Sequence, residues 1–84
     1  IVEFFRQAGA SVFDASRLGR GFPDLVVGFQ HRTVLVEIKD GAKSPSRRTL
    51  TDDQQAFMRS WRGGPVVTIT DIRGAETLLR TLAE

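Results

Sequence analysis

Two β-rich runs, Asp24 to Gly28 and Thr33 to Lys39, are separated only by Phe29 to Arg32. So short a connection between two such runs predicts an antiparallel hairpin. A turn centred between Gln30 and His31 sets Asp24 opposite Glu37. Directly opposed residues share one face of a sheet, with β-carbons roughly 4.5–5.5 Å apart. Lys39, two residues beyond Glu37, falls on that same face. The opposite face collects Leu25, Val27, Val34, Val36 and Ile38, an apolar set suited to packing on helices. A slip of one residue would exchange the two faces, so the turn fixes both the core and the chemistry.

The flanking segments extend this pattern. Ile1 to Ala8 carries apolar residues at helical spacing and ends at Gly9. Ser11-Val12-Phe13 is a short strand candidate, and Asp14 to Phe22 reads as a polar loop with Gly19 and Gly21. Gly21 is most simply a turn residue, and the two glycines do not make a phosphate-cradling loop of known spacing. Asp40 to Leu50 shows no periodicity and is expected to be a loop. Thr51 to Arg62 is predicted helical, with Thr51 as N-cap, Asp52 and Asp53 in the first turn, and Phe57, Met58 and Trp61 as its apolar face. Phe57 and Trp61 at this spacing are expected in the core, with a base-stacking platform as the lesser alternative. Gly63-Gly64 breaks the chain before a strand over Pro65 to Thr70 and a helix over Asp71 to Ala83, with Leu78, Leu79 and Leu82 on its apolar face. The order α-β-β-β-α-β-α predicts a single α/β domain over 1–84, a mixed sheet flanked by helices.

Composition narrows the chemistry. The chain has 84 residues, so its core is modest and association with a second copy is the simplest source of extra stability. With 40% hydrophobic and 26% charged residues it reads as globular and soluble, and no apolar run approaches the roughly 20 residues needed to span a bilayer. There is no cysteine and one histidine, His31, which excludes a disulfide scaffold and makes a His/Cys zinc site implausible. Any metal must therefore be held by oxygen, which points to Mg²⁺ or Mn²⁺. Ten of the 12 cations are Arg, the better ligand for phosphate, although a net charge of +2 alone fits a solvated surface equally well.

Two carboxylates a few ångström apart repel unless a cation lies between them or one takes up a proton. A hard divalent ion shared by Asp24 and Glu37 relieves that repulsion, and the carbonyl of Ile38 can add a ligand. Lys39 beside it can orient or deprotonate a water, or stabilise charge on a phosphate. The plain alternative is a solvated ion-pair cluster at a sheet edge. Gln54 has two readings as well: a contact to Lys39 or to the water, or the return arm of a capping box with Thr51. Lys43, Arg47 and Arg48 in one loop and Arg17 and Arg20 in another are candidate phosphate donors, each set against a mobile solvated loop. His31, in the turn, is expected to be exposed.

These residues resemble the PD-(D/E)XK nuclease superfamily, with Pro23-Asp24 and Glu37-Ile38-Lys39 in its motif positions. The stretches Gly21-Phe22-Pro23-Asp24-Leu25-Val26-Val27-Gly28 and Glu37-Ile38-Lys39-Asp40-Gly41-Ala42-Lys43 look more particularly like the VRR-NUC family, the virus-type replication-repair nucleases. Pro45-Ser46, Arg48, Leu50-Thr51, Asp53-Gln54 and Trp61 are similar to its small stand-alone phage and bacterial members. The resemblance implies a restriction-endonuclease-like core and a Mg²⁺- or Mn²⁺-dependent DNase acting on branched DNA such as Holliday junctions. It further implies a homodimer in the cytoplasm of a bacterial or phage-infected cell. By position it assigns metal binding to Asp24, Glu37 and the Ile38 carbonyl, and a catalytic role to Lys39. The family commonly carries an acid near the start of its first helix. This chain begins at Ile1, inside that helix, so a trimmed N-terminus is expected, and Glu3 reads as an exposed helix residue. The second hypothesis is a non-catalytic DNA-binding module on a nuclease-like fold; a third is an interaction domain unrelated to nucleic acid.

Overall fold

The computed structural model describes residues 1–39 and 50–84. Its centre is the hairpin of β2 (Leu25–Phe29) and β3 (Arg32–Ile38). Gln30 and His31 form the two-residue connection, and both have positive φ, 53° and 64°. That is the backbone of a type I′ turn, whose twist matches the flanking strands. Leu25 pairs with Val36 and Phe29 with Arg32, the register expected from the sequence.

Neither turn residue is glycine, and a left-handed conformation costs an ordinary residue roughly 1–2 kcal/mol. The double substitution Gln30→Asn with His31→Gly is therefore expected to stabilise the domain by about 1 kcal/mol. A thermal melt should show the midpoint rise by roughly 4–8 °C. An unchanged or lower midpoint would mean the turn has a different backbone.

The strand β1 (Ser11–Asp14) pairs antiparallel with β2, and β4 (Val66–Ile69) pairs parallel with β3. The result is a four-stranded mixed sheet in the order β1-β2-β3-β4. A parallel neighbour cannot be reached by a tight turn, and the crossover from β3 to β4 carries the helix α2 (Asp52–Ser60).

Four of the five residues expected on the apolar face of the hairpin are buried in the core, and Ile38 packs against it half-buried. Leu25, Val27, Val34 and Val36 pack with Phe5, Ala10, Ile69, Ala75, Leu79 and Leu82. Phe5 comes from α1 (Val2–Gln7), and the last three residues come from α3 (Ile72–Leu82). Both helices thus cover one side of the sheet. At the end of α1, Gly9 takes φ +93° and the Ala10 N–H returns to the Phe5 carbonyl, as its position after the helix predicts. Asp71 caps α3 by accepting from the Gly74 N–H at 2.8 Å.

On the other side lies α2, and here the sequence expectation fails. The helix has no buried residue, so Phe57, Met58 and Trp61 are not a core face. It also stops at Ser60 rather than Arg62: Trp61 is already extended, with φ −68° and ψ 125°. The 3.6-residue apolar spacing is present, but Phe57 and Met58 are only partly buried and Trp61 is exposed; Phe57 meets Phe22 of the loop before Asp24 and stacks on Trp61. The remaining boundaries shift by one or two residues, as frayed ends do.

Candidate active site

Three segments fix the candidate residues. Pro23 is fully buried and anchors the entry to β2. The Asp24 carbonyl accepts from the Ala15 N–H at 2.7 Å, which ties it to the end of β1. Its carboxylate Oδ2 accepts from the Ile38 N–H at 2.8 Å, which ties it to the end of β3. Asp24 is therefore held across the mouth of the hairpin in the position that the register predicts.

Glu37 is the one buried charged residue of the described chain, only 2% exposed. Its Oε1 accepts from Gln54 Nε2 at 2.6 Å and lies 3.8 Å from Lys39 Nζ. The three expected groups thus share one side of the sheet. Burial raises the Glu37 carboxyl, and the neighbouring Asp24 charge raises it further; Lys39 opposes both, and the balance leaves it at about 7. This is the repulsion anticipated for a close carboxylate pair: without a cation, the more buried member tends to keep its proton.

Gln54 forms the expected capping box, and its amide reaches Glu37 rather than Lys39. Its backbone N–H donates to Thr51 Oγ1 at 3.2 Å, and its side-chain Oε1 accepts from the Thr51 N–H at 2.9 Å. That is a complete capping box. The amide nitrogen left over is the one that reaches Glu37. The capping geometry therefore orients the amide, and the amide in turn fixes the carboxylate. Removing the side chain by Gln54→Ala takes away the Glu37 contact and half of the cap. A loss of about 1–2 kcal/mol is expected in a denaturant melt; a loss below about 0.3 kcal/mol would show that neither contact matters.

A contact that the sequence did not reveal joins this helix to the Pro23 loop. Gly21 has φ +81°, and a β-carbon there would lie 2.1 Å from the Asp53 carbonyl oxygen. Phe22 meets Phe57 edge-on at 5.2 Å, and Phe57 stacks on Trp61 at 5.2 Å. A turn glycine and a generic aromatic look ordinary in sequence; their partner, α2, lies about 30 residues downstream, and nothing local marks the pairing.

The other candidates are placed as follows. Arg17 and Arg20 are exposed in the loop before Pro23, and Arg20 has φ 58°. His31 is exposed. Glu3 is exposed on α1, where it accepts from Gln7 Nε2 at 3.4 Å. Lys43, Arg47 and Arg48 lie outside the described residues. Among the described residues no third acidic or histidine side chain joins Asp24 and Glu37.

Comparison with protein-family models, curated proteins and solved structures finds no match. The site must be read from its own chemistry.

The donor set suits a hard cation. Two carboxylates with a few further oxygens are the usual protein share of a Mg²⁺ site, the remainder being water and substrate phosphate. Within a strand, the N–H and C=O of one residue leave the same edge. The Ile38 N–H meets Asp24, so the Ile38 carbonyl leaves β3 on the Asp24 side as well. Among the described residues no helix is long and apolar enough to cross a membrane.

Proposed function

We propose that this protein is a metal-dependent DNA endonuclease, built on a restriction-endonuclease-like core of VRR-NUC type and selective for branched DNA. The observation that carries this reading is a carboxylate 2% exposed, pushed up to about 7 by burial and by Asp24, with Lys39 at 3.8 Å. A solvated ion-pair cluster has no reason to bury its acid at that cost. A site that awaits a cation does, because functional sites are where such shifts concentrate.

In this reading Asp24, Glu37 and the Ile38 carbonyl hold Mg²⁺ or Mn²⁺. The ion, when bound, neutralises charge on a phosphate and makes a water more acidic. Lys39 directs its ammonium to the reacting phosphate or to the attacking water. Gln54 is a positioning residue that keeps the Glu37 carboxylate turned toward Asp24. The exposed Arg17 and Arg20, with Lys43, Arg47 and Arg48, supply phosphate contacts that set the register of the duplex. A homodimer would place two such sites on opposite strands of a junction, in the cytoplasm of a bacterial or phage-infected cell.

The test is cleavage of a four-way junction, a flap and a linear duplex in Mg²⁺, in Mn²⁺ and in EDTA. Cutting in either metal, absent in EDTA and faster on the branched substrates, supports the proposal. DNA binding that weakens with salt, without cleavage in any metal, favours the second reading, a DNA-binding module. The observation in its favour is that no third acid joins the pair among the described residues.

A further inference from the structure

Phe57 joins α2 to the loop before Asp24, but the open ring of Trp61, just past the end of α2, is not accounted for by the fold. Trp61 is 41% exposed although it is the largest apolar side chain of the protein. It is nevertheless tightly held. Phe57 stacks on it with an interplanar angle of 21°. Its indole N–H donates to the Gly64 carbonyl at 3.1 Å. At Gly63 a β-carbon would sit 2.6 Å from the ring, so only glycine lets the backbone fold so close. A ring used simply to glue α2 down would be buried, since burial is what makes aromatic contacts stabilise. This ring is immobilised and left open.

Its surroundings select a ligand. The acids of α2, Asp52 and Asp53, are at its first turn, whereas the exposed Arg59 and Arg62 adjoin Phe57 and Trp61 in sequence at its far end. Fixed aromatic surface beside arginines is the combination that binds unpaired nucleobases together with their phosphates. Because the indole is already ordered, a base that stacks on it loses little side-chain entropy in doing so. The location fits as well: Phe22, two residues before Asp24, meets Phe57, one helical turn beyond Gln54.

We infer that Trp61, supported by Phe57, is a stacking platform for an unpaired base of a DNA strand, and that this platform positions single-stranded or splayed DNA at the candidate active site. The inference rests on the DNA reading above and specifies the part of the substrate that is recognised.

Trp61 is the sole tryptophan, so its fluorescence reports on the site directly. Titration with oligodeoxythymidine of about ten nucleotides, in EDTA to prevent cutting, is expected to quench the indole emission as the strand binds. Trp61→Ala should weaken that binding about 10- to 100-fold, as loss of one stacked base does. Trp61→Phe should restore most of it, which separates stacking from a folding defect. Binding of a blunt duplex should change by less than about threefold, because phosphate contacts carry it. Oligonucleotide binding without quenching, or duplex binding with none of the single strand, overturns the platform and leaves the DNA reading standing. If the unmutated protein binds no DNA of either form, both fall together.

Discussion

Glu37→Gln is expected to abolish metal-dependent cleavage and, in EDTA at pH 8, to make the protein more stable. The loss should be at least about 1,000-fold, since the variant cannot supply the second anionic ligand that a divalent cation needs. The gain in stability follows from linkage. The Glu37 carboxyl is raised from 4.5 to about 7 in the folded protein. Well below 4.5 both folded and unfolded chains carry the proton and nothing is lost. As pH rises past 4.5, the unfolded chain releases the proton while the folded one retains it. Stability therefore falls until, above about 7, folding must bury the ionised group. The loss is on the order of 3 kcal/mol at most. The amide that replaces the carboxyl in the variant is neutral at every pH and escapes this loss, while its oxygen can still accept from Gln54. In EDTA the variant should melt on the order of 10 °C above the unmutated chain at pH 8 and close to it at pH 4. Added Mn²⁺ should raise the midpoint of the unmutated protein and leave that of the variant unchanged.

Lys39→Ala separates binding from chemistry at the same site. It too should lose cleavage, by about 100- to 10,000-fold, but it keeps both carboxylates. Because Lys39 lowers the Glu37 carboxyl, removing it moves metal-linked stabilisation to higher pH without eliminating it. If Lys39→Ala cut a junction as fast as the unmutated protein, the lysine would have no part in the reaction. If Glu37→Gln melted lower in EDTA at pH 8, Glu37 would be an ordinary ionised carboxylate and the cation argument would lose its basis.

How much of this was legible in the sequence depends on the range of each interaction. The hairpin was, because alternation has a period of two and the turn leaves little choice of register: Leu25 opposite Val36 places Asp24 by Glu37 without further information. The capping box at Thr51 and Gln54 was legible for the same reason, being contained within four residues. The face to which α2 turns its aromatics was not. Apolar spacing says that one side of a helix prefers contact; it does not say whether that contact is a sheet or another loop. Here Phe57 finds Phe22 and Trp61, and the apolar side of the helix is only partly buried. Nor did the sequence show that Glu37 would be 2% exposed, since that depends on α2 lying over the end of β3.

Gly21 and Gly19 offer a controlled comparison of the contact that holds α2 in place. Both have a left-handed backbone, φ +81° and +72°. A β-carbon at Gly19 meets nothing within 4 Å, whereas one at Gly21 falls 2.1 Å from the Asp53 carbonyl oxygen and 2.9 Å from the Gln54 nitrogen. Gly19→Ala should incur only the backbone cost, about 1 kcal/mol, with cleavage within a few-fold of the unmutated rate. Gly21→Ala adds an overlap with main-chain atoms that no rotamer can relieve. A total of about 2–4 kcal/mol is expected, reached by displacing the first turn of α2 from the loop. That turn carries Gln54, so its amide leaves Glu37 and the carboxylate loses its orientation. Cleavage by Gly21→Ala should then fall about 10- to 100-fold even at temperatures where the protein remains folded, because misplacement of a positioning group has effects of that size. Denaturant melts and single-turnover rates on one junction substrate measure both quantities. If the two variants lost equal stability and cut equally fast, the loop would not bear on the helix, and Gln54 would have no positioning role to lose.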